Sequence, residues 1–218
     1  MKGKIKPPSN KIMLLLLISI ITTTSIIINA KAQQTALLIL PPFVTISEPG
    51  ETVTVDLNIT GAVNLYAYEV KIYYLNSIVN ATGAVRPPGH FMEPVIDPAN
   101  QFIPKWEIKN NFNATHGQIW LGFTLLAPEA ARSGSGILVK ITFKGLAIGT
   151  TPVTIIYPGY QYPAKLADNT GAPVPNTAQN GTIEVVPEFP TAAITMITLL
   201  AITVTFILQK KRKVKVQH

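Results

Sequence analysis

Residues 64–84 read Asn-Leu-Tyr-Ala-Tyr-Glu-Val-Lys-Ile-Tyr-Tyr-Leu-Asn-Ser-Ile-Val-Asn-Ala-Thr-Gly-Ala. Alternate positions in this stretch carry large apolar side chains, namely Tyr66, Tyr68, Val70, Ile72 and Tyr74, and the positions between them are mixed. Side chains of a β-strand point alternately to its two faces, so this period of two predicts a strand with one apolar face. Aromatic and β-branched residues also favour strands. We expect the apolar face to line a core and the mixed face to be open to a partner.

The rest of the body repeats this pattern in shorter segments. Val53, Val55, Leu57 and Ile59 alternate with polar residues and predict another half-buried strand. Further strands are predicted at residues 43–46, 106–108, 118–124, 138–143, 152–156 and 183–186. Short strands at such intervals, without a long amphipathic helix, are typical of a β-sandwich. The predicted class is therefore all-β, with a sandwich over residues 43–186 that follows a lead-in at residues 33–42.

The Pro-rich segment 85–105 interrupts this series of strands. Its prolines cannot donate the hydrogen bonds of a sheet ladder, so the segment is predicted to be a loop or at most an edge strand. Loops of this length within compact domains often carry binding sites.

The charges of the chain are unevenly distributed. Ten of the 18 basic residues lie within residues 2–31 and 210–215, whereas all 11 acidic residues lie between these ends. Residues 33–190 therefore hold 8 basic and 11 acidic residues, a net charge of −3. Basic ends around a mildly acidic body are typical of a membrane protein, whose cytoplasmic flanks collect Lys and Arg. We therefore exclude nucleic-acid binding as the function of the basic tail. The absence of cysteine from the sequence excludes disulfides, a cysteine-based metal site and a thiol nucleophile.

The first 32 residues have the pattern of a secretory signal peptide. A basic front is followed by an apolar run at residues 12–28 and by Ala30-Lys31-Ala32, the small-x-small form that signal peptidase accepts. Cleavage is predicted after Ala32. An uncleaved anchor helix is the alternative, because the apolar run is long for a signal peptide.

The last 32 residues predict a membrane anchor. Residues 187–190 (Pro-Glu-Phe-Pro) form a linker motif, and residues 191–208 contain no charged residue. As a helix those 18 residues would extend about 27 Å, close to the thickness of the hydrocarbon layer. Residues 209–218 contain the basic run Lys210-Lys211-Arg212-Lys213, which places the C-terminus in the cytoplasm and the body outside. This ending resembles the archaeal Pro-Glu-Phe-Pro sorting signals, which implies an archaeal surface protein.

The sequence contains glycosylation motifs but no metal-binding or catalytic motif. Four Asn-x-Thr sequons without proline predict glycosylation at Asn58, Asn80, Asn113 and Asn180. Histidines and carboxylates show no metal-ligand spacing, so no metal or cofactor is expected. No pair of carboxylates stands out for glycosidase chemistry, and no nucleophile or phosphate-binding motif occurs. We therefore expect no enzymatic activity.

The aromatic residues leave a second binding hypothesis open. Tyr157, Tyr160 and Tyr162 lie in a Pro-rich loop, where exposed tyrosines could contact a polysaccharide or a protein. Trp106 shares its parity with Ile108 and is expected in the core. A carbohydrate-binding module is thus an alternative to a protein-binding one.

Three segments resemble the cohesin family, whose domains bind dockerins. Tyr68-x-Val-x-Ile-x-Tyr74, followed by the turn Leu75-Asn76-Ser77 and by Ile78-Val79-Asn80-Ala81-Thr82-Gly83, is similar to the third-strand region of cohesins. The segment Gly134-Ser-Gly-Ile-Leu-Val-Lys-Ile-Thr-Phe-Lys144 resembles a later cohesin strand, and Asn180-Gly-Thr-Ile-Glu-Val185 resembles the closing strand. The order and spacing of the three matches extend the resemblance over roughly residues 43–186.

This resemblance implies a jelly-roll β-sandwich that binds a dockerin-like or cell-surface protein and catalyses nothing. In the family, the outward sides of the first two matched strands contribute to the dockerin contact. Carried over by position, the expected partner-binding residues are Ala67, Glu69, Lys71, Tyr73, Lys140 and Thr142. A structural cell-envelope or adhesion protein without a dedicated ligand is the remaining alternative.

Overall fold

The computed structural model describes residues 34–187, 196 and 198–205. Eleven strands make up residues 35–185, and no other regular element occurs within that range. They are β1 (Thr35–Leu40), β2 (Phe43–Ile46), β3 (Thr52–Leu75), β4 (Val79–Val85), β5 (Gln101–Lys109), β6 (His116–Leu125), β7 (Arg132–Gly145), β8 (Gly149–Ile155), β9 (Lys165–Asp168), β10 (Asn176–Gln179) and β11 (Gly181–Val185). The predicted all-β class is confirmed.

The 24-residue strand β3 organises the sheet because its two halves have different neighbours. Residues 52–60 pair with β1 on one side and with β7 on the other, and β4 and β10 extend this layer outward. Residues 65–75 pair with β6 on one side and with β9 and β8 on the other, and β5 extends this second layer. We call these layers the β7 layer and the β6 layer. Strand β8 also pairs with β11, which lies parallel to β2.

The bend between the two halves of β3 has a local cause. Gly61 and Asn64 adopt φ values of 61° and 51°, and the register with β7 shifts between Ile59 and Leu65. Only glycine enters this left-handed region freely, and asparagine tolerates it better than most residues. The prediction that a strand ends at residues 60–61 and a new one follows was therefore wrong. The chain bends there without leaving the sheet.

The apolar faces of the two layers meet in one core. Val55, Leu57 and Ile59 of the β7 layer are at most 1% exposed, as are Val70 and Ile72 of the β6 layer. Tyr74 of the β6 layer packs edge-on against Phe143 of the β7 layer, with 5.2 Å between ring centroids. The alternation predicted from the sequence is confirmed in both halves of β3, and the outward faces lie on opposite sides of the sandwich.

Two segments differ from the sequence-based expectation. The predicted lead-in at residues 33–42 contains β1, whose Leu37 and Ile39 are buried in the core, so the sandwich begins before residue 43. The Pro-rich segment ends in the edge strand β5, which starts at Gln101 and bulges between Phe102 and Lys105, around Pro104. Trp106 is half-buried against the core, as expected, and its Nε1 donates to the carbonyl of Ala84 at 3.1 Å.

The predicted signal peptide and the Ala32 cleavage site lie outside the described residues, as does half of the proposed membrane span at residues 191–208. Residues 198–205 are helical, and the hydroxyls of Thr203 and Thr205 donate to carbonyls one turn earlier. Across residues 34–187, 196 and 198–205, we find no helix with the length and apolar character needed to cross a membrane.

Candidate functional site

Outward side chains of the β6 layer form a continuous polar and aromatic surface. In the register of β3 and β6, Glu69 lies opposite Gly122, Lys71 opposite Trp120 and Tyr73 opposite Gln118. Side chains of directly paired residues lie on the same face of a sheet, so the mixed face predicted for residues 67–73 is shared with β6 and β5. We call this surface the β6 face; its main members are Glu69, Lys71, Tyr73, Lys105, Glu107, Lys109, Gln118, Trp120, Tyr157 and Lys165.

Glu69 is the hydrogen-bonding centre of the β6 face. Its Oε1 accepts from the indole Nε1 of Trp120 at 2.7 Å and from the hydroxyl of Tyr157 at 2.8 Å. Its Oε2 lies 3.6 Å from Nζ of Lys165. These partners come from β6, from the loop after β8 and from β9, so one carboxylate fixes three separate segments. Hydrogen bonds to a charged group are stronger than those between neutral groups, and this arrangement holds the aromatic rings in one orientation.

Lysines lie over the rings that Glu69 holds in place. Nζ of Lys71 is 4.3 Å from the ring centroids of both Trp120 and Tyr157. Lys105 approaches Trp120 to 4.5 Å, and Lys165 approaches Tyr157 to 4.2 Å. Such contacts are attractive because the face of an aromatic ring is electronegative. A hydrogen bond with the Tyr157 hydroxyl, together with the Glu69 carboxylate, raises the pKa of Lys165, so this ammonium stays charged.

The net charge of the β6 face is positive. Glu107 forms ion pairs with Lys105 and with Lys109, the latter at 2.9 Å. The face therefore carries four lysines (71, 105, 109 and 165) against two glutamates (69 and 107), a net charge of +2. Although the body of the chain is acidic, this surface favours a partner that presents carboxylates.

Hollows lie at both ends of the β6 face. At one end, Tyr73 and Phe112 pack edge-on with 5.7 Å between centroids, and with Ile156 and Pro158 they line an apolar hollow of about 440 Å³. At the other end, Ala67, Tyr160 and Lys165 contribute to a hollow of about 340 Å³. Apolar hollows beside fixed polar groups are suited to receive the anchor side chains of a protein partner.

The predicted partner-binding residues divide between the two layers. Ala67, Glu69, Lys71 and Tyr73 lie together on the β6 face. Lys140 and Thr142 lie outward on the β7 layer, where Lys140 forms an ion pair with Asp56 at 2.9 Å and the hydroxyl of Thr142 lies 3.1 Å from that of Thr54. The structure therefore does not bring these two residues together with the first four.

Sequence reasoning missed Trp120, Lys105 and Lys165 as members of the face. The parity of Trp120, opposite to that of the buried Ile119, Leu121 and Phe123, was a usable signal that it points outward. Nothing local marks Lys165, because β9 has only four residues and its place beside β3 depends on long-range pairing.

The predicted sequons differ in accessibility. Asn113, Ala114 and Thr115 are all exposed in the turn between β5 and β6. Asn80 is half-buried in β4, and Asn58 is half-buried in β3 with its Oδ1 enclosed. Asn180 is exposed, but its Oδ1 accepts from the backbone N–H of Ile155 at 2.9 Å.

The sequence predicts no metal site, and the described residues can be searched for one. Within residues 34–187, 196 and 198–205, histidines and carboxylates nowhere form a group of three or more that could hold an ion.

The chain is similar to solved structures of other proteins. No protein-family model matches the chain, and neither does any curated protein. Among solved structures, the Clostridium acetobutylicum protein CaCohA2, in its complex with CaDoc0917, aligns with a TM-score of 0.53 and 21% identity over 70% of this chain and 100% of that one. The Coh-OlpA chain of a Clostridium thermocellum type I cohesin–dockerin complex aligns with a TM-score of 0.51 and 14% identity, over 71% of this chain and all of its own.

A third match has the same character. The seventh ScaB type I cohesin of Pseudobacteroides cellulosolvens aligns with a TM-score of 0.51 and 16% identity, over 72% of this chain and 95% of that one. The fold is similar to that of cohesins. The cohesin-like sandwich expected from the sequence is confirmed by these alignments, which at such identities concern the fold alone.

Proposed function

We propose that this chain is a non-catalytic protein-binding module whose β6 face docks a partner of dockerin type. The observation that carries the proposal is the network around Glu69, in which one carboxylate holds Trp120 and Tyr157 beneath the ammonium groups of Lys71 and Lys165. A face whose side chains are fixed before binding loses little conformational entropy when a partner arrives. The solved cohesins of similar fold, several of them in complexes with dockerins, support a partner of that class.

The chemistry of the β6 face specifies the partner further. Its net positive charge favours a partner with exposed carboxylates, and the hollow beside Tyr73 and Phe112 accommodates an aliphatic or aromatic side chain. Lysine-rich rims accelerate association and make it dependent on salt concentration. The partner is therefore a protein surface with acidic residues around an apolar anchor.

The polysaccharide alternative receives less support from the geometry. Tyr157, Tyr160 and Tyr162 contact one another edge-on, with interplanar angles of 70° and 75°. Rings at such angles do not form the flat platform on which successive sugar rings stack. If the chain binds insoluble polysaccharide and this binding is unchanged when Tyr160 and Tyr162 are replaced, residues other than these tyrosines bind the polysaccharide.

The proposal places the module outside the cell. Its support is the sequence pattern: a signal peptide at residues 1–32, an apolar span at residues 191–208 and a basic tail at residues 209–218. Cleavage after Ala32 would leave β1 intact, because that strand starts at Thr35. Membrane fractionation with protease protection of the tail, but not of the body, tests this topology.

The function is tested with a partner that the full-length chain recovers from native membranes in detergent. The partner is then purified, and its dissociation constant from the full-length chain is measured. We expect Lys71→Glu and Tyr73→Ala each to raise the dissociation constant about tenfold or more, because Lys71 lies over the fixed rings of the face and Tyr73 lines the hollow at its end. Lys144→Glu and Thr142→Ala on the β7 layer are the matched controls and should change it less than about twofold. Equal losses in both pairs would refute docking at the β6 face.

A further inference from the structure

The Pro-rich segment between β4 and β5 is an ordered structure that the proposed docking does not use. The backbone N–H of Phe91 donates to the carbonyl of Ile137 at 2.7 Å, and Met92 is fully buried. The carboxylate of Glu129 accepts from the N–H groups of residues 95, 96 and 97 at 3.0, 2.6 and 3.1 Å. The segment is therefore held in one conformation, and it encloses a hollow of about 270 Å³.

The hollow contains a cation that forms no ion pair within the described part of the chain. Arg86 is half-buried, and the centre of its guanidinium lies 4.7 Å from the ring centroid of Phe123 and 5.7 Å from that of Trp106. Its Nη1 donates to the Oε1 of Gln101, whose amide nitrogen in turn donates to the carbonyl of Pro98 at 2.6 Å. Among the described residues no carboxylate forms an ion pair with Arg86. A guanidinium has five N–H donors, so several remain for a ligand.

A second polar group in the hollow also lacks a partner. His90 is 8% exposed, and within the described part of the chain its Nδ1 has no hydrogen-bond partner. Burial and the neighbouring charge of Arg86 lower the pKa of His90, so the imidazole is neutral at pH 7 and adds no second charge. Of the described carboxylates, Glu93 alone lines the hollow; it is exposed and accepts from the N–H of Gly89 at 2.7 Å.

The remaining walls are apolar and stiff. Four prolines line the hollow, at positions 87, 88, 94 and 98, and their rings have almost no freedom to rearrange. A cation at the base of apolar walls is suited to a molecule with one carboxylate and one hydrocarbon face. A volume of about 270 Å³ lies just below the usual range of ligand sites and is too small for an extended peptide.

We propose that this hollow is a binding site for a small organic carboxylate about the size of one sugar ring. Arg86 binds the carboxylate through its free N–H groups, with Gln101 fixing the guanidinium in place, while the prolines contact the ring. Binding of a small carboxylate in this hollow does not require docking at the β6 face, and either can occur without the other.

The site is tested by titrating the full-length chain with three probes and monitoring its NMR chemical shifts. D-Glucuronate combines a ring with a carboxylate, D-glucose supplies the ring alone and acetate supplies the carboxylate alone. We expect glucuronate to bind about tenfold more tightly than either of the others, because only it uses both the cation and the walls. Glucose binding as tightly as glucuronate would refute the role of Arg86, and acetate doing so would refute the one-ring size.

Variants connect the binding to these residues. Gln101→Glu puts a carboxylate beside Arg86 while the arginine stays in place, and it should weaken glucuronate binding about tenfold in a folded protein. Glu93→Gln removes the acid that lines the hollow and should strengthen glucuronate binding. Lys144→Met removes a positive charge on the β7 layer and serves as the control. Unchanged binding in Gln101→Glu, or an equal loss in Lys144→Met, would overturn the proposal.

Discussion

At the scale of single residues, Asn110 connects the two layers of the sandwich. Its Oδ1 accepts from the hydroxyl of Tyr74 at 2.5 Å and from the N–H of Ala81 at 2.9 Å, and its Nδ2 donates to the carbonyl of Ala81 at 3.1 Å. Tyr74 belongs to the β6 layer and Ala81 to the β7 layer. One amide side chain thus satisfies three polar groups in a region where water is largely excluded.

We therefore expect Asn110→Ala to lower the free energy of unfolding more than Tyr74→Phe does. The first change leaves three groups without a partner and should cost about 2–3 kcal/mol, whereas the second removes one hydroxyl and should cost about 1 kcal/mol. Urea denaturation at pH 7 measures both. A larger loss for Tyr74→Phe would show that Asn110 does not connect the layers.

Glu129 gives a second prediction at this scale, through pH. Burial alone would raise the pKa of its carboxyl, but hydrogen bonds from the N–H groups of residues 95–97 and from Arg132 lower it to about 2. A group whose pKa is lowered by folding stabilises the native state above its unfolded pKa, and that contribution is lost as the pH falls toward the folded value.

We expect Glu129→Gln to lower the melting temperature at pH 7, and we expect the difference from wild type to shrink between pH 4.5 and pH 2. Glu51→Gln is the control, because that residue is exposed just before β3. A difference that stays constant down to pH 2 would contradict the role of the ionised carboxylate.

At the scale of elements, the bend in β3 decides which surfaces exist. Asn64 has a positive φ of 51°, and its N–H donates to the hydroxyl of Ser133 at 2.9 Å. Because the side chain is exposed, substitution there tests the backbone alone. Asn64→Val should lower the free energy of unfolding by about 1–2 kcal/mol, since a β-branched residue resists this conformation.

Asn64→Gly is the matched variant and should change stability by less than about 0.5 kcal/mol. The two urea midpoints are compared directly. Equal midpoints for the valine and glycine variants would show that the left-handed conformation is not required at this bend.

The same strand shows how far the sequence predicts this structure. The alternation from Tyr66 to Tyr74 predicts the buried face because side-chain direction in a strand is a local property. It does not predict that residues 52–60 and 65–75 lie in different layers, because that depends on φ at Gly61 and Asn64. The cohesin resemblance groups Lys140 and Thr142 with Glu69, and the alternation alone gives no sign that they lie on the opposite layer.

Strand β1 was missed for another reason. Residues 36–40 are all apolar, so Leu37 and Ile39, which are buried, cannot be told from their half-buried neighbours by alternation. The members of the β6 face from distant segments were equally invisible. Tyr157 reaches Glu69 across 88 positions of sequence, and only the pairing of β8 and β9 with β3 brings it there.

At the scale of the whole molecule, exposure ranks the four sequons. All three residues of the Asn113 sequon are exposed in a turn, whereas Asn58 lies within β3 with its Oδ1 enclosed. If the body is exported, we expect mass spectrometry of the native protein to find a glycan at Asn113 and none at Asn58. Asn113→Gln is the control that should remove the modified peptide. A glycan at Asn58 with Asn113 bare would contradict this ranking.

The β6 layer, and not the β7 layer, is expected to receive the protein partner. Hydrogen–deuterium exchange of the full-length chain, with and without the purified partner, tests it most directly because both layers are observed in one experiment. We predict slower exchange in β5, β6 and residues 65–75 of β3, with unchanged exchange in β1, β7 and residues 52–60. Protection confined to the β7 layer would refute docking at the β6 face.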